Sequence, residues 1–89
     1  MFTEKDFGKP ISTEMSQYIS ILKVNGNIKE IAEKHSYNPI TLTAVVMRYR
    51  NLTEANSEMI IDLIGKCIEN YSKIEGKREA FQKSIKKAI

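Results

Sequence analysis

The chain has few of the residues that cross-link or interrupt a fold: one cysteine, two prolines, four glycines and no tryptophan among 89 residues. A single cysteine cannot form a disulfide within the chain, and this favours a reducing compartment such as the cytoplasm. No stretch holds enough consecutive apolar residues to cross a bilayer, so we expect no membrane segment.

Groups suited to catalysis are also few, because the chain has one histidine, one cysteine and no glycine-rich loop. His35 falls at the end of a predicted helix, where we expect it to cap that helix. Cys67 falls in an apolar series, where a buried thiol is expected. The acidic residues are spread over separate helix faces instead of clustering as metal ligands do. We therefore predict a protein that is not an enzyme, has no metal or cofactor, and acts by binding.

Apolar residues, by contrast, are plentiful and recur at helical spacing. Hydrophobic residues make up 42% and charged residues 28% of the chain, which is typical of a globular protein. Five segments show helical periodicity, and none shows the sustained alternation of a half-buried strand. We predict an all-α fold, a compact bundle of four to five short helices in a single domain that spans residues 1–89.

The first three predicted helices have capping signals. Ser12 can cap the first helix, and the sequence NGN at 25–27 ends it. The second helix begins at Ile28 and ends in the polar residues before Pro39. Asn38 suits the N-cap of the third helix, and Pro39 suits its first position, where no backbone N–H is needed.

The pattern predicts a fourth helix that begins near Thr53 or Asn56 and runs to about Ile74. Its buried face is a series of seven residues: Met59, Ile60, Leu63, Ile64, Cys67, Ile68 and Tyr71. Gly76 is predicted to interrupt the helix. After it, a last short helix is expected to pack an apolar stripe of three residues back on the core: Phe81, Ile85 and Ile89.

The second and third helices resemble a helix-turn-helix unit in their spacing. The positions that fit are Ala32, Leu42 and Val45, with Ser36 in the turn where glycine is common. At about 100° per residue, the inward face of the third helix should consist of four residues: Leu42, Val45, Val46 and Tyr49. A helix that reads DNA bases needs a polar outer face, whereas this one presents Ile40, Ala44 and Met47.

This apolar outer face has two interpretations. The commoner arrangement would cover it with the first or last helix, which would make the third helix a central core element. Alternatively, it is a protein-docking patch formed by Ile40, Ala44, Met47 and Arg48, since methionine and arginine beside small apolar residues are typical of an interface centre.

The basic residues are concentrated at the C-terminal end. Residues 73–89 contain six basic and two acidic side chains, a local net charge of +4, so the first 72 residues carry −1. Seven candidate phosphate contacts follow: Arg48, Arg50, Lys77, Arg78, Lys83, Lys86 and Lys87. A solvated helix face that keeps the protein soluble is the alternative interpretation of this segment.

The order of these features resembles the small late-transcription coactivators of T-even-like phages. The resemblance covers residues 28 to about 80: a helix of the I-x-x-I-A-E type, a short polar break, the helix TAVVMRY at 43–49, an acidic turn, and LIGKCI at 63–68. It implies a helical protein that binds the host RNA polymerase core and connects it to a sliding clamp without reading promoter sequence. It also implies that Ile40, Met47 and Arg48 lie near the polymerase-facing surface. Such coactivators end in an acidic and apolar tail, whereas this chain ends in SIKKAI.

Three functions remain open at this point. The first is a coactivator that binds host RNA polymerase or another transcription protein in the bacterial cytoplasm, and the apolar outer face favours it. The second is a helix-turn-helix DNA-binding regulator, favoured by the turn spacing and the basic segment. The third is a helical adaptor or inhibitor, for which the same patch would serve.

Overall fold

A computed structural model describes residues 2–88, and the side chains of residues 2–85. It contains four α-helices: α1 Thr13–Leu22, α2 Asn27–Lys34, α3 Pro39–Val46 and α4 Glu54–Ala88, preceded by a short 3₁₀ helix Glu4–Asp6. All regular secondary structure in this part of the chain is helical, and the helices pack into one bundle. The predicted all-α fold is confirmed.

The predicted N-terminal caps of α1 and α3 are both present. The Ser12 hydroxyl accepts a hydrogen bond from the Met15 N–H at 3.1 Å. The Asn38 side-chain oxygen accepts from the N–H groups of Ile40 and Thr41, at 2.8 and 3.3 Å. Each cap satisfies backbone donors that have no partner inside the helix, which fixes where the helix begins.

α2 and α3 end in the same way, with a residue in the left-handed region. Ser36 has a φ of 54° and Arg48 a φ of 67°. The Tyr37 N–H then reaches back to the Ala32 carbonyl, and the Tyr49 N–H to the Ala44 carbonyl, each at 2.8 Å. This is the Schellman arrangement, for which glycine is the usual residue, so the turn expected at Ser36 is confirmed.

The left-handed Arg48 also corrects a prediction. Tyr49 was expected on the inward face of α3, but the helix ends at Val46 and Tyr49 is 79% exposed. The chain reverses direction at Arg48, so the helical period no longer determines where Tyr49 points. The other three predicted inward residues, Leu42, Val45 and Val46, are buried.

The core forms where the three short helices pack against the first half of α4. From α4, Met59, Ile60, Leu63 and Cys67 are buried. They meet buried residues of the other helices and connections: Ile11, Ile19, Ile31, Ala32, Leu42, Val45, Val46 and Leu52. Ile64 packs at the edge of this core, but the last two members of the predicted series, Ile68 and Tyr71, are about half exposed.

The predicted break at Gly76 is wrong, because α4 is one continuous helix of 35 residues. Glycine lowers helix stability by only about 1 kcal/mol, and strong helix formers such as lysine, glutamate and alanine surround it here. The last short helix that should fold back on the core is therefore absent. Phe81 is 66% and Ile85 is 41% exposed, and Ile89 lies outside the described residues.

Leu63→Ala tests whether α4 is the scaffold of the bundle. Leu63 is completely buried, so its truncation should lower the free energy of unfolding by about 2–5 kcal/mol through reduced apolar burial and a cavity. The measurement is urea denaturation followed by circular dichroism. The matched change Ile68→Ala, at a half-exposed position of the same helix, should cost less than about 1 kcal/mol. Equal costs for the two variants would contradict this packing.

Candidate functional site

The outer face of α3 is open to solvent. Ile40 is 79% and Met47 is 53% exposed, and Ala44 lies between them on the same side of the helix, partly exposed. The interpretation that another helix covers this face is therefore wrong. Because large apolar residues seldom stand together in water without a role, this face is the candidate site.

A shallow groove of about 300 Å³ adjoins Ile40, between the α1–α2 connection and the start of α3. Val24, Ile28, Pro39 and Thr43 line it beside Ile40, together with Lys23 and Lys29. Val24 is itself about half exposed. We call the apolar surface formed by Val24, Ile40, Ala44 and Met47 the α3 patch.

Two buried asparagines hold the connection that carries Val24. The Asn70 amide donates to the Leu22 carbonyl at 2.8 Å and to the Asn27 side-chain oxygen at 3.2 Å. The same Asn27 oxygen accepts a hydrogen bond from the Val24 N–H at 3.0 Å. This network ties the turn to α4 and thereby fixes one wall of the groove. Sequence reasoning missed Asn70, although a lone amide three residues after Cys67 on an apolar face was a signal.

Several polar side chains that could have contacted DNA already bond to the protein's own backbone. The Asn38 oxygen caps α3, and the Thr43 hydroxyl donates to the Pro39 carbonyl at 2.9 Å. Arg48 donates through Nε to the Ile11 carbonyl at 2.7 Å, which ties the N-terminal segment to the end of α3. Of the two arginines near α3 that were predicted to contact phosphates, Arg50 has no side-chain hydrogen bond to the described residues, whereas Arg48 is bonded to Ile11.

His35 and Cys67 both have structural surroundings. His35 is the C-cap residue of α2, as expected, and its ring nitrogen Nε2 also lies 2.8 Å from an Asp62 carboxylate oxygen on α4. Cys67 is completely buried, with its Sγ 3.9 Å from the Ile19 carbonyl oxygen, which confirms the buried thiol. Burial raises the pKa of the Cys67 thiol, although nearby Lys23 opposes this effect, so the reactive thiolate is disfavoured.

Three of the predicted phosphate contacts in the C-terminal segment, Lys77, Arg78 and Lys83, point to different sides of α4. Lys77, Arg78 and Lys83 lie on α4 and project about 100–140° apart around its axis. The side chains of Lys86 and Lys87 lie outside the described part of the chain. A groove of duplex DNA is followed best by cations on one side of a helix, which these three residues do not provide.

Comparisons with protein-family models, curated proteins and solved structures found no match for this chain. The resemblance to phage coactivators therefore rests on the residue pattern alone and stays a prediction. Within residues 2–88, no helix is long and apolar enough to span a membrane. The same residues contain no group of three or more histidine, cysteine or acidic side chains that could hold a metal ion.

Asn70→Ala tests the network that holds the groove. It leaves the Leu22 carbonyl and the Asn27 oxygen with fewer partners in a buried place, and should lower the free energy of unfolding by about 1–3 kcal/mol. Asn25→Ala, at an exposed position of the same connection, should stay within about 0.5 kcal/mol of wild type. Hydrogen exchange at the Val24 amide should also be faster in Asn70→Ala. Unchanged exchange there would show that the network does not hold the turn.

Proposed function

We propose that this protein is a non-enzymatic transcription coactivator of the phage type, which binds host RNA polymerase or another transcription protein through the α3 patch. The observation that carries the proposal is the exposure of Ile40 and Met47 on a helix whose opposite face is completely buried. A rigid helix that presents apolar side chains loses little conformational entropy on binding, which favours a protein partner. Such a protein would act in the bacterial cytoplasm, where polymerase is found.

The chemistry of the patch suits protein better than DNA. Phosphate and base edges require charged or hydrogen-bonding side chains, whereas Val24, Ile40 and Met47 offer only apolar surface. Methionine adapts its shape to a partner, and interface centres are depleted of charge. The groove beside Ile40 could receive one apolar side chain of the partner, with Lys23 and Lys29 available to nearby acidic groups.

Met47→Lys is the variant that separates protein binding from DNA binding. A lysine in an apolar interface would be desolvated without a partner, so association with purified bacterial core RNA polymerase should weaken at least about tenfold. The same lysine would preserve or strengthen binding to phosphates. Ile40→Lys should behave like Met47→Lys, and Met47→Glu should weaken both kinds of binding.

Two controls make this measurement decisive. Ile68→Lys changes a residue of similar exposure on α4, and polymerase binding should stay within about twofold of wild type. Circular dichroism must show that every variant keeps its helices. A folded Met47→Lys variant that still binds polymerase, or that binds a DNA sequence tightly, would contradict the coactivator proposal.

A DNA-binding regulator is the second candidate, and the left-handed turn at Ser36 between α2 and α3 is the observation that favours it. If Lys83, Lys86 and Lys87 bind phosphates, replacing all three by alanine should weaken binding to duplex DNA. The slope of log affinity against log salt should then fall by about 0.9 for each phosphate that is no longer neutralised.

The wild-type protein provides the reference for this second test. If it shows no salt-sensitive DNA binding, the basic segment keeps the protein soluble and the regulator candidate loses its main support. A wild type that binds neither polymerase nor DNA would leave the third candidate, a helical adaptor or inhibitor that uses the α3 patch.

A further inference from the structure

The last part of α4 stands clear of the bundle. Asn70 is the last buried residue among the side chains described, 2–85, and α4 continues to Ala88 in a molecule measuring 55 × 25 × 19 Å. We call residues 71–88 the α4 extension. It carries four exposed large apolar side chains: Tyr71, Ile74, Phe81 and Ile85. A helix of this length without packing contacts is only marginally stable in water, so these residues indicate a missing partner.

The apolar residues of the extension continue a seam that begins inside the bundle. In heptad notation, the a positions are Ile64, Tyr71, Arg78 and Ile85, and the d positions are Ile60, Cys67, Ile74 and Phe81. Ile60 and Cys67 are buried by the other helices, and Ile64 packs at the core edge. Beyond Asn70, the residues of the same seam are exposed to solvent. Its heptad spacing is that of a helix packed side by side with another helix.

We infer that the α4 extension pairs with the α4 extension of a second copy of this chain, as an antiparallel two-helix coiled coil. When residue 71 of one copy lies opposite residue 88 of the other, the two extensions overlap over their whole length of about 27 Å. The two bundles then lie at opposite ends and do not collide.

This register also places complementary side chains in each layer. Ile74 lies opposite Ile85 of the second copy, and the twofold symmetry repeats this apolar layer. Arg78 lies opposite Phe81 of the second copy, and both residues belong to the seam. The guanidinium group of Arg78 can therefore stack on the aromatic ring of Phe81. Arg78 is the charged residue among the a and d positions of the extension, and Phe81 of the second copy can stabilise it without an acidic residue.

The flanking positions avoid contacts between like charges. On one side of the seam, Glu75 comes near Gln82 of the second copy, where the amide can donate to the carboxylate. On the other side, Lys77 comes near Ser84 of the second copy, whose hydroxyl oxygen can accept from the ammonium group. Lys73 and Lys83, two further cations of the extension, project away from the seam.

Two alternative pairings are less favourable. A parallel pair in register would place Arg78 against Arg78 of the second copy in the centre of the seam, where like charges are desolvated together. An antiparallel pair shifted by one heptad toward the bundle would bring Lys77 beside Lys77 of the second copy. The full-overlap antiparallel pair avoids both of these contacts between like charges.

Sedimentation equilibrium of the wild-type protein, from about 5 µM to about 500 µM, tests the pairing, since an interface of this size is expected to be weak and reversible. A monomer–dimer equilibrium is expected, and Ile74→Ser or Phe81→Ser should weaken it at least about tenfold. Ile68→Ser, the same kind of change on α4 but outside the overlap, should alter it less than about twofold. A monomer at every concentration, or a dimer unaffected by Ile74→Ser and Phe81→Ser, would overturn the inference.

Cysteine cross-linking tests the direction of the pair, because the native Cys67 is buried and will not interfere. A mixture of Ile74→Cys and Ile85→Cys chains should form a disulfide between unlike chains under mild oxidation, since these positions face each other. Each variant alone should cross-link far more slowly. Rapid cross-linking of either variant to itself would show a parallel pair and overturn the antiparallel arrangement.

Discussion

The packing of three short helices on one side of α4 is the interaction on which the rest of the structure depends. α1, α2 and α3 have only 8 to 10 residues each, and helices of that length are unstable alone in water. Leu63 and Cys67 lie at the centre of the shared apolar surface, so each short helix is ordered by burying its own apolar face there. With the inner side of α3 committed in this way, Ile40 and Met47 have no place in the core and are held in solvent.

Polar contacts then determine the positions of the connections around this core. The bond from Arg48 to the Ile11 carbonyl holds the N-terminal segment against the end of α3, and it compensates in part for the left-handed conformation of Arg48 itself. The hydrogen bond between Asn70 and Asn27 likewise holds the α1–α2 turn in place. Hydrogen bonds within the protein therefore support the connections on either side of the α3 patch.

The sequence allowed the helix beginnings and the core to be predicted, because these follow from local rules. Ser12 and Asn38 are good caps wherever a helix starts, and the spacing of Leu42 and Leu63 identifies buried faces. The position of Tyr49 and the continuity of α4 could not be predicted from the sequence. Tyr49 depends on a left-handed arginine, which no propensity rule anticipates. Gly76 weakens a helix without ending it unless the residues that follow provide a cap. Whether Ile40 is exposed depends on which helices pack beside it. This is a property of the tertiary fold, which local rules do not give.

The bundle encloses only the first half of α4, and this has a mechanical consequence. The outer half is anchored at one end only, and its tip at residue 88 lies about 27 Å along the helix axis from Asn70. A tilt of α4 by about 10° within the bundle would move that tip by about 5 Å. Small changes in packing around Cys67 are thereby amplified at residue 88.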